Sequence, residues 1–423
     1  MKILNYDHKL TNKDLSNFEH SKIFPRHNWY FFKEGFSPLL VEEAINSTKI
    51  SDDGLIIDPF CGSGTTSLVA SVKNKHSIGF EVNPFLAFVA RTKQLNENKK
   101  NILRHKDSIF TSIEKGSPSL LENFSTFTKG NRNEDKWLFN LDVLRSFEGG
   151  WQYAESLPNN IKNIFKLSLI ASIMDNCNAE KDGKCLRYKK NWRIINFSKN
   201  DFLDSFEKKI EKIICDLEKE PIVKKSNIIL GDSRKNISQT NQKFQLCVTS
   251  PPYLNSFDYS DIYRPELFLG KFILNNNELN QLRLKTLRSH VQIIWDKPTK
   301  IDFGLLYPNV INEIARKKDI LWNNRLMLMI QAYFEDMENI LTQLKHKADK
   351  NASLWLVVST SAYAGVEIPV DLILADIGTK VGWDLEEIIV MRYLRNSVQN
   401  AKKWLEGEAS SKQLRESIVI LRA

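Results

Sequence analysis

The chain has 423 residues, 42% of them hydrophobic, which is enough to bury a large core, favours two or three structural units over one, and excludes a disordered protein. Its 60 basic and 51 acidic residues leave a formal net charge of +9, a balance that suits a polyanionic partner without requiring one. The five cysteines (Cys61, Cys177, Cys185, Cys215 and Cys247) are scattered with no C-x-x-C spacing, which speaks for reduced thiols in a cytosol and against a zinc site.

The opening "MKILNYDHKL" lacks the apolar core of a signal peptide. The longest apolar stretch, "FKLSLIASIM", is about half of what a membrane span needs. A soluble intracellular protein is the expectation.

Regular alternation begins at 54–93, "GLIIDPFCGSGTTSLVASVKNKHSIGFEVNPFLAFVARTK", where a β-rich segment, a glycine turn, a helical segment, a second strand and a second helix follow one another. This is the start of a doubly wound α/β unit. From 94 to 225 the sequence turns rich in Asn, Lys and aromatic residues, with helical periodicity and no clear strands. In "DSFEKKIEKIICDLEKE" the pair Asp204 and Glu207 reads as a capping box, Phe206, Ile210, Ile213, Ile214 and Leu217 form one apolar face, and Pro221 ends the helix. This block is expected to be an inserted helical module.

Strands resume at "NIILGDS" (227–233) and "FQLCVTS" (244–250), then pause through a polar, basic and aromatic segment, 254–318. An amphipathic helix is expected over about 324–347, followed by the strand "SLWLVVS", the helix "PVDLILADIGTKVG" and two last strands, "LEEIIVMRYL" and "ESIVILRA". The α/β core (1–93, 226–253 and 319–423) is thus interrupted by two insertions, 94–225 and 254–318.

The turn "DPFCGSGTT" (58–66) follows a strand and opens a helix, so Gly62 and Gly64 permit close backbone approach to a ligand at the strand's carboxyl end. No lysine follows the second glycine, which removes the phosphate-loop reading, and Ser67 stands where a dinucleotide fingerprint has its third glycine. About twenty residues on, Glu81 ends the next strand where a carboxylate accepts from ribose hydroxyls. Asp58 ahead of the glycines repels a pyrophosphate but suits a cation, which points to S-adenosylmethionine rather than a dinucleotide. Asp232, after the third strand, is a candidate acceptor for the adenine amine.

The second corner is "TSPPY" (249–253). Two prolines stiffen a strand end and remove two amide donors, an arrangement that suggests a site. Together, "DPFCGSGTT" and "TSPPY" resemble the DNA amino-methyltransferases, in which an F-x-G-x-G element ends the first strand and a [DNST]-P-P-[YFW] element the fourth.

The resemblance implies a seven-stranded Rossmann-like sheet in the order 3-2-1-4-5-7-6 with the seventh strand antiparallel, and S-adenosylmethionine as cofactor. Asp58, Pro59, Phe60, Gly62, Gly64, Thr65, Glu81 and Asp232 then bind the cofactor. The segment "HNWYFFKEGFSPLLVEEAI" (27–45), with Ser37, resembles the helix that closes the cofactor pocket. The closing "SAYAGVEIPVDLILADIGTKVGWDLEEIIVMRYLRNS" and "LRESIVIL" resemble later core elements of some of these enzymes.

The resemblance also supplies the chemistry. The lone pair of an exocyclic amine is delocalised into the base, so the amine attacks poorly until acceptors on its hydrogens draw it towards tetrahedral geometry. The Ser250 side chain and the Pro251 carbonyl would be those acceptors, locked in place with Pro252, while Tyr253 would stack on a base turned out of the duplex. The scheme needs neither a metal nor a covalent intermediate, so Cys61 and Cys247 are read as packing residues, and His27 and His290 as structural.

Serine at the first position leans towards cytosine N4. Adenine N6, an RNA amine and an inactive nucleic-acid-binding subunit are the alternatives. Duplex DNA is the expected partner, with a possible restriction endonuclease beside it, in a bacterial or archaeal cytosol. For DNA contact the sequence offers the basic and aromatic loop "KDGKCLRYKKNWR" (181–193) with Arg187, Lys189, Lys190, Tyr188 and Trp192. It also offers Tyr259 and Arg264 after the proline corner, with an Arg264–Glu266 ion pair as the plain alternative.

Overall fold

The computed structural model describes residues 15, 18–129, 136–182, 185–394 and 414–423. Lys184, the "RNS" that closes "RYLRNS" and the first ten residues lie outside them.

Helix α1 (Pro38–Thr48) starts where Ser37 caps it and proline occupies the first turn, whose amide has no helical partner in any case. The chain then runs through β1 (Leu55–Asp58), α2 (Thr65–Val72), β2 (His76–Glu81) and α3 (Pro84–Lys93), the last capped by Asn83 with Pro84 behind it.

A helical block follows: α4 (Lys99–Arg104), α5 (Lys106–Lys115), α6 (Leu141–Glu155), α7 (Asn159–Asp175), a small ribbon of β3 (Ala179–Lys181) and β4 (Leu186–Tyr188), and α8 (Lys199–Lys219). The sheet resumes with β5 (Asn227–Leu230), α9 (Ser233–Asn236) and β6 (Phe244–Thr249). Residues 254–318 carry α10 (Tyr259–Ile262), α11 (Arg264–Leu269), α12 (Asn276–Arg283) and α13 (Tyr307–Arg316). The chain closes with α14 (Leu326–Lys347), β7 (Ala348–Ser359), a hairpin of β8 (Ser361–Tyr363) and β9 (Val366–Ile368), α15 (Val370–Lys380), β10 (Asp384–Tyr393) and β11 (Arg415–Arg422).

Seven strands form one sheet in the order β10-β11-β7-β6-β1-β2-β5. Counted along the chain and read from β5, this is the expected 3-2-1-4-5-7-6. Strand β11 runs antiparallel to both β10 and β7, and the other pairings are parallel. One face is covered by α1 and α2 around Leu40, Val41, Ile56 and Val248, the other by α14 and α15 around Ile330, Leu341, Leu354 and Ile373. Among the described residues no helix is long and apolar enough to cross a membrane.

Two local expectations need correction. The capping box of α8 is Ser198 with Asp201, one turn and a half before Asp204: the Ser198 hydroxyl accepts from the Asp201 amide, and the Asp201 carboxylate accepts from the Ser198 amide. The block 94–225 is not strand-free, because β3 and β4 pair over Ala179–Tyr188, a ribbon too short to announce itself by alternation. The block also packs onto the rest of the chain. Its Phe139, Phe147, Ile170 and Phe206 share one apolar cluster with Phe85 of α3 and with Tyr263, Leu267 and Phe268 beyond the proline corner.

Candidate functional site: two strand ends around one cavity

Both corners sit at the carboxyl ends of parallel neighbours, β1 and β6. At the glycine corner the chain reverses through Gly62 (φ 50°) and Gly64 (φ 88°), backbone that side-chain-bearing residues rarely adopt. The Glu81 carboxylate holds this turn from the next strand, accepting from the Gly62 amide and the Asn83 amide at 2.8 Å each. Asp58 Oδ1 accepts from the Phe60 amide at 3.0 Å. Burial pushes the Asp58 carboxyl up to about 6, against the pull of hydrogen bonds from Thr249 and Phe60. Burial likewise raises Glu81 to about 7, opposed by its two amide donors.

The two corners are tied directly. Thr249 Oγ1, one residue before Ser250, donates to Asp58 Oδ1 at 2.7 Å, and Thr66 Oγ1 donates to the Val248 carbonyl at 3.1 Å. The proline corner is otherwise held from far along the chain. Tyr253 donates its phenol to Glu416 Oε1 at 2.7 Å, and Arg392 Nε donates to Glu416 Oε2 at 2.8 Å. Burial, and next the Glu416 charge, hold the Tyr253 phenol well above its ordinary value. The Leu254 carbonyl accepts from Ser361 and from Tyr363 of the β8–β9 hairpin.

A cavity of about 470 Å³ opens between the corners. Asp58–Gly62, Thr65, Glu81 and Asp232 line it from the glycine side, and Ser250–Tyr253 with Tyr259 from the proline side. Phe32, Glu34 and Phe36 close it from the segment before α1. Its walls are mostly apolar, with two raised, buried carboxyl groups at one end. Such a site suits a largely apolar ligand with hydroxyl donors and a positive charge, because desolvated carboxylates gain most from donors and cations.

The N6_N4_Mtase family, "DNA methylase", matches residues 4–91. Over 97% of its length the chain is 28% identical to "Type II methyltransferase M.BsoBI" of Geobacillus stearothermophilus, spanning 88% of that protein. Over 91% it is 26% identical to "Type II methyltransferase M.AvaI" of Nostoc sp., spanning 84% of it. These matches support the DNA amino-methyltransferase family for the chain.

S-adenosylmethionine is the cofactor of this methyltransferase, and the donor set of the glycine corner fits it: acceptors for ribose hydroxyls and carboxylates for a cationic molecule. Among solved structures, the rRNA methyltransferase aviRa from Streptomyces viridochromogenes aligns over 92% of the chain and 85% of its own, with a TM-score of 0.30 and 10% identity.

Not every expected residue lines the methyltransferase's cavity. Gly64 packs instead: a Cβ there would stand 2.8 Å from the Ala90 Cβ, so its role is the close approach of α2 to α3. The Ser37 hydroxyl accepts from the Leu39 amide as the cap of α1 and lies behind the lining. Asp232 does line the cavity, but Arg234 grips both of its oxygens, at 3.0 Å and 2.8 Å.

Arg187, Lys189, Lys190 and Arg264 lie outside the lining. Arg187 pairs at 2.5 Å with Asp182, which does line it, and Lys189 sits over the Phe197 ring. Trp192 is buried against Trp137 rather than presented to bases, since a large ring gains more from the core than from solvent. The alternative Arg264–Glu266 pair does not form: Arg264 lies 4.0 Å from Asp261, and the buried Glu266 pairs with Lys181 at 2.6 Å.

Sequence reasoning missed Leu282, Lys285, Thr286, Leu287, Ser289, Arg392 and Glu416 in the wall, and His290, read as structural, lines it too. None carries a local signal. Each arrives through folding of an insertion or from the last two strands.

Proposed function

We propose that this methyltransferase transfers a methyl group from S-adenosylmethionine to the N4 amine of cytosine at a specific site in duplex DNA, as the modification half of a restriction–modification system. One observation carries the reading: the glycine corner and the proline corner share one cavity and are joined by the Thr249–Asp58 hydrogen bond.

The cofactor supplies a methyl group on a positively charged sulfur. The chain's own residues do the rest. Asp58, Pro59, Phe60, Gly62 and Thr65 form the cofactor wall, with Glu81 as acceptor for ribose hydroxyls and the Arg234-clamped Asp232 on the adenine side. The Ser250 side chain and the Pro251 carbonyl accept from the amine hydrogens, which returns the nitrogen lone pair to attack, and Pro252 keeps the corner rigid. Transfer of the methyl group to the amine nitrogen would leave the sulfur as a neutral thioether, and the extra amine proton, held by these acceptors, would pass on to solvent.

Tyr253 stacks on a base flipped out of the duplex, and Tyr259, whose phenol reaches the Tyr253 backbone, braces the loop. Serine at 250 supports cytosine over adenine by family resemblance. Residues 94–225 are the module we assign to target recognition, with Arg187, Lys189 and Lys190 facing phosphates, and Arg264 beside the loop after the proline corner.

The test is methylation of duplex DNA by the full chain, followed by digestion to nucleosides and mass spectrometry, with transfer RNA as the parallel substrate. N4-methylcytosine in DNA, lost in Ser250→Ala, is the expected result. N6-methyladenine replaces the base assignment, label confined to RNA overturns the substrate, and no transfer at all leaves a binding subunit.

A further inference from the structure

The catalytic face carries a second feature that none of the expected site residues occupies. Helix α14 descends along the sheet and enters β7 at its amino end, so the start of α14 lies on the same side as the two corners. Asp336 marks the height of the cavity wall: its carboxylate takes Arg234, which lines the cavity, at 2.9 Å, and Arg288, which adjoins lining residues, at 2.7 Å. Arg325 precedes Asp336 by about three helical turns, so the head of α14 stands about 16 Å further out than that wall.

At this outer tip the chain exposes what it buries elsewhere. Trp322 is 65% exposed and Ile320 67%, and Ile294 at 80% joins them, because Arg325 Nη1 donates to the neighbouring Ile293 carbonyl at 3.3 Å. Around them Arg316, Lys317 and Lys318 outnumber Asp319, the acidic residue of the turn. Lys317 pairs with Glu313 of its own helix, whereas Arg316 and Lys318 are exposed and form no ion pair with a described residue. Exposed rings and aliphatic groups flanked by cations, raised above the mouth of a cavity, fit a polyanion with stackable bases better than a protein face, which would match apolar area with fewer charges.

We infer that the projecting turn 316–325, with Trp322 and Ile320 at its crest and Arg316 and Lys318 on its flanks, grips duplex DNA beside the target base while that base occupies the cavity. This rests on the reading of the chain as a DNA methyltransferase. The turn adds affinity for the duplex and takes no part in methyl transfer.

The experiment is fluorescence anisotropy of a labelled duplex with the full chain, alongside methylation kinetics and cofactor binding. Trp322→Ala is expected to weaken duplex binding about tenfold, the range of one lost base–ring contact, raising KM for DNA while kcat and cofactor affinity stay level. Trp322→Phe is expected to restore most of the loss. The double variant Arg316→Ala/Lys318→Ala is expected to lower the dependence of log affinity on log salt by about two, one for each phosphate contact removed.

Leu305→Ala, exposed but away from this tip, is the control and is expected to leave all three measurements unchanged. Unaltered DNA affinity in both the Trp322→Ala and the double variant overturns the inference. So does a dimeric wild type that Trp322→Ala turns monomeric with DNA affinity intact, which makes the turn a contact between copies. A wild type that binds duplex through this turn but methylates no DNA amine overturns the function and leaves the turn standing.

Discussion

The glycine corner and the proline corner end neighbouring strands and face the same cavity, yet they are held in opposite ways. The glycine corner is held mainly from nearby: Asp58 accepts from Phe60 two residues on, and Glu81 reaches back to Gly62 within one β-α-β unit, with the Thr249 bond to Asp58 as its tie to the other corner. The proline corner is stiff but is aimed from a distance, with Tyr253 tied to Glu416, 163 residues later, and Leu254 tied to the hairpin at 361–363. The difference separates two demands. On the proposed function, a cofactor wall gains from a backbone fixed mainly by its own β-α-β unit, whereas a ring proposed to stack on a base has to be oriented against a substrate that enters from outside, and its support comes from the strands that complete the sheet.

The strongest way to break this comparison is Ser250→Ala. It is expected to lower kcat about 100-fold, the scale of one lost polar contact to the reacting group, with cofactor affinity unchanged by calorimetry. Loss of cofactor binding in that variant would mean that the corners do not divide the work.

Gly64→Ala attacks the glycine corner. The backbone conformation and the Ala90 contact together are expected to cost about 2 kcal/mol of stability, read as a lower urea midpoint.

A pH series sharpens the comparison further. Burial raises Asp58 to about 6 and Glu81 to about 7, above their ordinary values of 3.8 and 4.5, so between about pH 4.5 and 6 both hold a proton in the folded protein where they would be ionised in the unfolded chain. Stability of the cofactor-free protein from these two groups is therefore full below about pH 4 and declines as pH rises through 6 and 7. Cofactor affinity is expected to run the other way, climbing about tenfold between pH 5.5 and 7.5 as the carboxylates ionise, with the lower part of the climb removed in Asp58→Asn.

The smallest effect is expected from Glu416→Gln, which keeps an acceptor for Tyr253 but loses the Arg392 ion pair. A loss of about threefold in kcat/KM is expected, and it should vanish in a Tyr253→Phe background if Glu416 acts through the phenol. An equal loss in both backgrounds would separate Glu416 from the ring.

These contrasts also explain what was readable. The strands β1, β2, β5, β6 and β7 announced themselves as short apolar runs bounded by turns, and the two corners by glycines and prolines whose backbone demands are local. The cap of α8 was misplaced because Asp204 and Glu207 repeat the chemical pattern that Ser198 and Asp201 satisfy six residues earlier. Trp192 was misassigned because a ring between cations has the same sequence pattern whether it faces bases or, as here, packs on Trp137.

By itself the sequence determined the alternation of strand and helix, the glycine turn behind Asp58 and the rigid corner at Ser250–Tyr253, since each follows from torsional preferences and hydrogen bonds within a few residues. Only the tertiary structure decided that Glu416 and Arg392 hold Tyr253, that Leu282, Lys285–Leu287, Ser289 and His290 line the cavity, and that Gly64 serves helix packing. Those facts depend on which distant segments the closed sheet and the shared helical core bring into contact, and burial, not local propensity, selects those contacts.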